Sequence, residues 1–268
     1  VSGRQHLAED SSPIKQFSLD ALTLDLVLAA KGAQTISVII PARDEAATIG
    51  AVLAALTPHT APGTGLIDEI LVVDDGSSDS TAEMARRAGA TVLSLEGGGG
   101  KGAAMWAGLE ATRGDLIVYL DGDVENTQEH FVTRLVGPLL FDPEVMLVKA
   151  YYDRPFEGEA SGGGRVTELS ARPALRLLFP ELAAIRQPLA GETATRRKVL
   201  TRLGLETGYK VEIALLIDVA AAFGPSALAE VDLGIRIHRN RPLSDLSPMA
   251  TEILAVALER AQRFTAEV

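Results

Sequence analysis

The chain has 268 residues, enough for one large α/β domain or two closely packed halves. Its composition, 47% hydrophobic and 23% charged, is that of a folded globular protein; no apolar run long enough to span a bilayer and no leader-like opening is seen, so a cytoplasmic protein away from membranes is expected. A net charge of −11 argues against bulk binding of nucleic acid or anionic membrane, and zero cysteines exclude disulfides and thiolate metal sites.

Residues 1–18 are polar, and an amphipathic helix is predicted around 19–30. The first strand is predicted over 35–40, stopped by Pro41, with a helix from about 45 to 56. A second apolar strand at 69–73 ends in Asp74-Asp75-Gly76-Ser77, a turn and capping signal for a helix over 81–88. A short strand at 91–94 leads into Gly97-Gly98-Gly99-Gly100-Lys101-Gly102, then a helix at about 103–112. The apolar strand starting at Asp115 runs directly into Asp121-Gly122-Asp123. Strand and helix alternate, which predicts a mostly parallel sheet flanked by helices on both faces.

After Pro143 the pattern changes. A strand is predicted at 145–152, a glycine-rich loop at 158–164, helices at 165–171, 173–179 and 212–223, a late strand at 233–238 and a closing helix at 248–267. Three divisions follow: a segment and helix at 1–34, a first half at 35–150, and a second half at 151–268 of the same domain.

Ligands of parallel α/β sheets sit beyond the carboxyl ends of the strands. Three polar motifs fall there: Pro41–Glu45, Asp74–Ser77 and Asp121–Asp123. Asp121 and Asp123 flank one glycine where the chain turns, so both can approach one cation or its water shell, and hard oxygen ligands select Mg²⁺ or Mn²⁺. The plainer reading of each motif is a solvated turn or helix cap, and capping and binding are compatible. The glycine run fails as a phosphate-binding P-loop twice, at Leu95 and at Gly102. It satisfies a dinucleotide fingerprint only trivially, through its glycine content. A flexible loop bringing Lys101 to a phosphate or base fits it better.

Ser161-Gly162-Gly163-Gly164-Arg165-Val166-Thr167 sets exposed amides and a guanidinium where a helix begins, an anion site or else a plain flexible loop. Arg236-Ile237-His238-Arg239-Asn240-Arg241 is the densest basic run, suited to capturing an anion in an acidic protein, and its His238 is a candidate third metal ligand. His6, His59 and His130 have no such surroundings.

Together, Ile39-Ile40-Pro41-Ala42-Arg43-Asp44-Glu45, Asp74–Ser77 and Leu120-Asp121-Gly122-Asp123 resemble the GT-A glycosyltransferases of the family-2-like type. More narrowly, the segments 163–169, 187–192, 208–212 and 236–242 resemble the glucosyl-3-phosphoglycerate and mannosyl-3-phosphoglycerate synthases. Lys210 stands where that pattern has glycine, and Thr193 where it has an aromatic. The resemblance implies a GT-A fold, a Rossmann-like mostly parallel sheet flanked by helices, with 35–150 binding the nucleotide sugar and 151–268 the acceptor. It implies a metal-dependent retaining hexosyltransferase that moves glucose or mannose from UDP- or GDP-hexose to the 2-hydroxyl of 3-phosphoglycerate, as a cytoplasmic homodimer. Pro41, Arg43, Glu45, Asp75, Lys101, Asp121 and Gly122 would contact the donor, and Asp123 and His238 the Mg²⁺ or Mn²⁺. Gly164, Arg165, Thr167 and Asn240 would bind the acceptor, while Tyr209 and Glu212 would face the sugar. Front-face attack assisted by the Leu189 carbonyl is favoured over a double displacement through Glu212. The competing readings are a transferase acting on a lipid phosphate or polysaccharide, a nucleotidyltransferase, and a non-catalytic nucleotide-sugar sensor.

Overall fold

The computed structural model describes residues 12–60, 65–154, 164–237 and 243–266. Eight strands form one sheet: β1 (Lys15–Gln16), β2 (Ile36–Ala42), β3 (Glu69–Asp74), β4 (Thr91–Ser94), β5 (Leu116–Tyr119), β6 (Leu147–Asp153), β7 (Thr193–Arg196) and β8 (Leu228–Ile235). Their order is β1-β8-β6-β7-β5-β2-β3-β4, and every pairing is parallel except those of β7, which runs antiparallel between β5 and β6. The helices are α1 (Leu24–Lys31), α2 (Ile49–Leu56), α3 (Thr81–Arg87), α4 (Lys101–Ala111), α5 (His130–Phe141), α6 (Arg172–Leu178), α7 (Arg197–Leu203), α8 (Val211–Phe223) and α9 (Leu243–Ala266). Among the described residues no helix is long and apolar enough to cross a membrane.

The central strands read as continuous apolar runs because both sheet faces are covered. Alternation of side chains sends Val38 and Ile40 into one core layer with Val27, Leu53 and Phe131. Ile39 goes to the opposite layer with Leu109, Tyr119 and Leu216.

Several boundaries differ from the sequence expectation. Strand β2 passes through Pro41 to Ala42. The Ala42 carbonyl accepts from Asp75 N on the β3 side, so Pro41 faces the β5 side, where β5 has already ended at Tyr119 and no N–H is required. Helix α2 starts at Ile49, because residues 44–48 form a turn held by side chains: Glu45 N donates to Thr81 Oγ1 and Ala46 N to Asp79 Oδ2. The predicted N-terminal helix is divided into a 3-10 turn at Leu19–Ala21 and α1.

The helices predicted at 165–171 and 173–179 join into one helical run, in which a π segment, Thr167–Ala171, leads into α6 with Pro173 in its first turn. Strand β8 begins at Leu228 and ends before Arg236, and α9 begins at Leu243 with Pro248 inside it. Helices α5 and α7 and strands β1 and β7 were absent from the sequence expectation. Gly137 and Pro138 break the helical pattern of α5. A Cβ on Gly137 would displace the Leu22 side chain of the N-terminal segment.

Candidate active site

The carboxyl ends of β2, β3, β5, β6 and β8 lie on one rim of the sheet. Antiparallel β7 starts on that rim, since Thr193 is paired with Tyr119. Three polar strand-end motifs and the turn 187–192 are therefore neighbours.

On the β2–β3 side, Asp75 is buried and its two carboxylate oxygens accept from the glycine loop, Gly99 N at 2.5 Å and Gly100 N at 3.0 Å, with Arg43 Nη1 3.9 Å away. Gly98 packs so closely on Asp75 and Arg43 that a side chain would crowd both, and its φ of 68° is one only glycine adopts readily. Asp44 takes a φ of 57° that is rare for a non-glycine residue. Its carboxylate accepts from Ser78 N and Oγ, which hold it below its ordinary pKa. Gly122 lies against Ala42 and Glu45, and its carbonyl accepts from Thr48 Oγ1 at 2.7 Å. Pro41, Arg43, Glu45, Asp75 and Gly122 are thus brought together around one rim.

The centre is an ionic network. Lys101, the first residue of α4, reaches Asp121 Oδ1 at 2.6 Å and Glu212 Oε1, in the first turn of α8, at 2.7 Å. Arg236, just beyond β8 and 3% exposed, reaches Asp121 Oδ2 at 2.6 Å and Asp123 Oδ1 at 3.0 Å. Its Nε lies 3.0 Å from buried Glu192, but off the line of its N–H, so the two are charge neighbours and not a hydrogen-bonded pair. Burial pushes the Asp121 carboxyl up, but the Lys101 and Arg236 charges overcome this and hold it well below the usual range. Burial likewise depresses Lys101, and its two carboxylate partners raise it beyond the ordinary lysine value. Glu192 is pushed up by burial, with Arg236 only partly offsetting it.

Asp121 and Asp123 are therefore not equivalent. Both oxygens of Asp121 are occupied by cations of the chain. Asp123 gives only Oδ1 to Arg236, and its Oδ2 accepts nothing among the described residues. A hard carboxylate oxygen fits Mg²⁺ or Mn²⁺. His238 and Asn240 lie outside the described residues, and among the described residues no three acidic or histidine side chains are grouped to hold a metal. Ile237, the residue before His238, is tied back to this rim: Glu125 N donates to its carbonyl and its own N donates to Asn126 Oδ1. Arg236 is not the free anion trap that the basic run suggested, because acidic partners engage its guanidinium.

The Gly164–Thr167 segment also comes to this rim. A Cβ on Gly164, at φ 81°, would stand 3.5 Å from Arg154 Nη1 and 3.6 Å from Thr167 Oγ1. Arg154 in turn donates to Tyr152 Oη at 2.8 Å, and both Arg154 and Arg236 stack over the Tyr152 ring at 5.0 and 5.3 Å. Burial pushes the Tyr152 hydroxyl up to about 12. Arg165 opens the helical run, and Leu189 lies in the turn before β7, half-buried. Tyr209 is placed by Glu252 of α9, which accepts from its backbone N at 3.2 Å.

Two glycines bring main chain against main chain or carboxylate. A Cβ on Gly191 would overlap the Asp121 carboxylate, and one on Gly102 would overlap the Glu206 carbonyl. Sequence reasoning missed Arg154, Glu192 and Lys149 as site residues. Glu192 stands in the segment 187–192 that carries the resemblance without being singled out there, while Lys149 lies inside the strand predicted at 145–152 and Arg154 just beyond it, with no local pattern to mark either.

A GT-A glycosyltransferase is what this sheet and rim define, and the chain belongs to glycosyl transferase family 2, whose model matches residues 37–203. Glucosyl-3-phosphoglycerate synthase of Mycolicibacterium paratuberculosis is 47% identical over 246 residues, covering 87% of this chain and 74% of that protein. The enzyme of the same name from Petrotoga mobilis is 46% identical over 240 residues, covering 85% and 74%. Among solved structures, glucosyl-3-phosphoglycerate synthase from Mycobacterium tuberculosis in complex with Mn²⁺, UDP-glucose and phosphoglyceric acid superposes with a TM-score of 0.85 at 43% identity, covering 93% of this chain and 88% of that one. The same enzyme with Mg²⁺ and UDP gives a TM-score of 0.85 at 42% identity, covering 93% and 87%.

Proposed function

We propose that this protein transfers glucose from UDP-glucose to the 2-hydroxyl of 3-phosphoglycerate, with retention of configuration and with Mg²⁺ or Mn²⁺. The observation that carries this reading is the network of Lys101, Asp121, Glu212 and Arg236 on the sheet rim, with Asp123 Oδ2 beside it accepting nothing among the described residues. The relatives named above, together with the ligands in the M. tuberculosis complexes, support the choice of substrates. GDP-linked and mannose donors are the finer alternatives. Homodimeric assembly and a cytoplasmic location belong to the same proposal through the family resemblance.

In this reading residues 35–150 bind the donor. Pro41, Arg43, Glu45 and Asp75 line the nucleotide, and the Asp75–glycine loop contact rearranges or is shared when the nucleotide enters. Asp123 and His238 would hold the metal, which when bound supplies Lewis-acid neutralisation of the departing diphosphate. Lys101 adds a fixed positive charge on the same side. Residues 151–268 bind the acceptor: Gly164, Arg165, Thr167 and Asn240 take the phosphoglycerate, with Tyr209 and Glu212 against the sugar.

The bond between the anomeric carbon and the diphosphate oxygen breaks as the acceptor oxygen attacks the same face. The acceptor proton passes to the departing phosphate, while the Leu189 carbonyl orients the hydroxyl. Glu212 is already ion-paired to Lys101, which favours a binding role over that of a free nucleophile.

The test is a donor panel: UDP- and GDP-linked glucose and mannose, each with 3-phosphoglycerate and Mg²⁺, scored by product mass and anomeric configuration. The expected product is α-configured glucosyl-3-phosphoglycerate from UDP-glucose. Absence of transfer from all four donors, or an inverted product, sinks the proposal. Within it, Arg165→Ala should raise KM for 3-phosphoglycerate about 10-fold or more, with the KM for UDP-glucose little changed, as expected for loss of a charge-assisted phosphate contact. An unchanged acceptor KM in initial-rate kinetics would remove Arg165 from the acceptor site.

A further inference from the structure

Lys149 is a buried cation beside the site for which the chemistry above has no task. It lies in β6 and is 1% exposed. Its Nζ donates to the Ala190 carbonyl at 2.5 Å and to Thr193 Oγ1 at 3.1 Å. Burial pushes its pKa down to about 8, against the pull of Glu212 on α8, Glu192 in the turn and Asp121 after β5, with Lys101 on α4 adding repulsion. Burying an ammonium costs several kcal/mol. A methionine would fill the same volume without that cost, so the charge has to be explained by what it holds.

What it holds is the turn that crosses the sheet rim into β7. Ala190 N donates to the Gln187 carbonyl at 3.0 Å, which fixes the peptide plane shared with the Leu189 carbonyl. The next carbonyl, that of Ala190, is taken by Lys149. Gly191 then abuts the Asp121 carboxylate with no room for a side chain. Ala150 N donates to the Glu192 carbonyl at 3.0 Å, locking the turn onto β6, and Thr193 pairs with Lys149 itself in the β6–β7 register. Four consecutive residues are held by separate contacts, and the Ala190 carbonyl accepts twice, from the Lys149 ammonium and, at 3.3 Å, from the Thr193 hydroxyl.

We propose that Lys149 is a positioning residue for glycosyl transfer: by clamping the Ala190 carbonyl it sets the direction of the Leu189 carbonyl and the seat of Gly191 against Asp121. This rests on the transfer reading above. Lys149 touches neither substrate directly in that reading, so its effect falls on the rate and not on donor affinity.

The experiment compares wild type, Lys149→Met, Thr193→Val and the double variant. Measurements are initial-rate kinetics with UDP-glucose and 3-phosphoglycerate, titration calorimetry with UDP and Mg²⁺, and thermal melting. Lys149→Met is expected to lower kcat about 100-fold, the scale of effect of misplacing a reacting group by about 1 Å. The UDP affinity and donor KM should stay within about twofold. Thr193→Val removes one acceptor of the ammonium and the hydroxyl's own bond to the Ala190 carbonyl, but leaves the Lys149–Ala190 bond, so it should lower kcat less. In the double variant the two losses should be less than multiplicative, because ammonium and hydroxyl touch each other and hold the same Ala190 carbonyl. A folded Lys149→Met with unchanged kcat overturns the proposal, and so does a loss of UDP affinity in proportion to the loss of rate. If Lys149→Met does not fold, Thr193→Val decides alone: an unchanged kcat overturns the assignment. A wild-type protein that transfers no sugar overturns the transfer reading and this assignment with it, whereas an active wild type beside an indifferent variant overturns this assignment only.

Discussion

Asp123→Ala is expected to reduce metal-dependent transfer at least about 1,000-fold, equivalent to the ~4 kcal/mol that a metal's charge stabilisation can contribute. The fold should survive. Arg236 keeps Asp121 at 2.6 Å and Glu192 at 3.0 Å when Asp123 is lost, so its guanidinium is not left among apolar groups. Asp123 itself is partly exposed, and no large core contact is removed. The decisive measurement is Mn²⁺ binding by calorimetry or electron spin resonance, made alongside the rate and the melting temperature. Undiminished Mn²⁺ affinity in the variant, or activity that persists after chelation, would remove Asp123 from the metal site. Asp121→Ala provides the contrast: it takes a partner from both Lys101 and Arg236 and should lower the melting temperature as well as the rate.

Lys101→Met has the second large effect, on stability and rate together. The substitution leaves Asp121 and Glu212 without the cation that joins them. Removing one partner from a buried pair costs about 3–5 kcal/mol, and the lower end applies here because a fifth of the Lys101 side chain is exposed. Transfer should fall by about 100-fold or more, since a fixed cation beside the departing diphosphate is lost.

The pH dependence has a definite sign. In the intact protein Lys101 and Arg236 hold the Asp121 pKa below its unfolded value, so this network stabilises the fold above the unfolded pKa. That stabilisation is lost as pH falls through the depressed folded value. In Lys101→Met the Arg236 attraction remains but that of Lys101 is gone, so Asp121 takes up a proton at higher pH than in wild type and the deficit relative to wild type shrinks on acidification. Urea denaturation at about pH 7.5 and about pH 4 should show a smaller difference between the two proteins at the lower pH. An equal or larger difference at about pH 4 would mean that Lys101 contributes packing and not charge.

The rim of the sheet was legible in the sequence for a physical reason. Central parallel strands such as Leu116–Tyr119 are apolar on both faces, so the polar residues at their ends stand out sharply. Pro41–Glu45, Asp74–Ser77 and Asp121–Asp123 were found that way, and the structure places them together. The partners of those carboxylates were harder to find. Arg236 meets Asp121 across 115 positions of chain, and local pattern cannot distinguish an arginine that captures a ligand from one that neutralises a carboxylate. Strand β7 was hidden because Thr193–Arg196 is short and carries hydroxyls at two of its four positions. It is buried only because Lys149 and the Met146 carbonyl take up the two hydroxyls. Helix α5 was hidden by Gly137 and Pro138, which break a helical pattern; Gly137 faces the Leu22 and Val27 side chains of the N-terminal segment.

The bare contact between Gly102 and the Glu206 carbonyl bears on how the pocket can be altered. A Cβ on Gly100 would stand in ordinary contact with the Gly208 backbone, at 3.5 Å, and the φ of 80° there already favours glycine. Along this line the loop that precedes Lys101 touches the segment that carries Tyr209, main chain on main chain, with no flexible side chain to absorb a change. Donor preference and acceptor preference are therefore not separate modules for a protein engineer. A library built at positions 97–102 to accept a different nucleotide would also displace Tyr209, so its members should be screened against both substrates together.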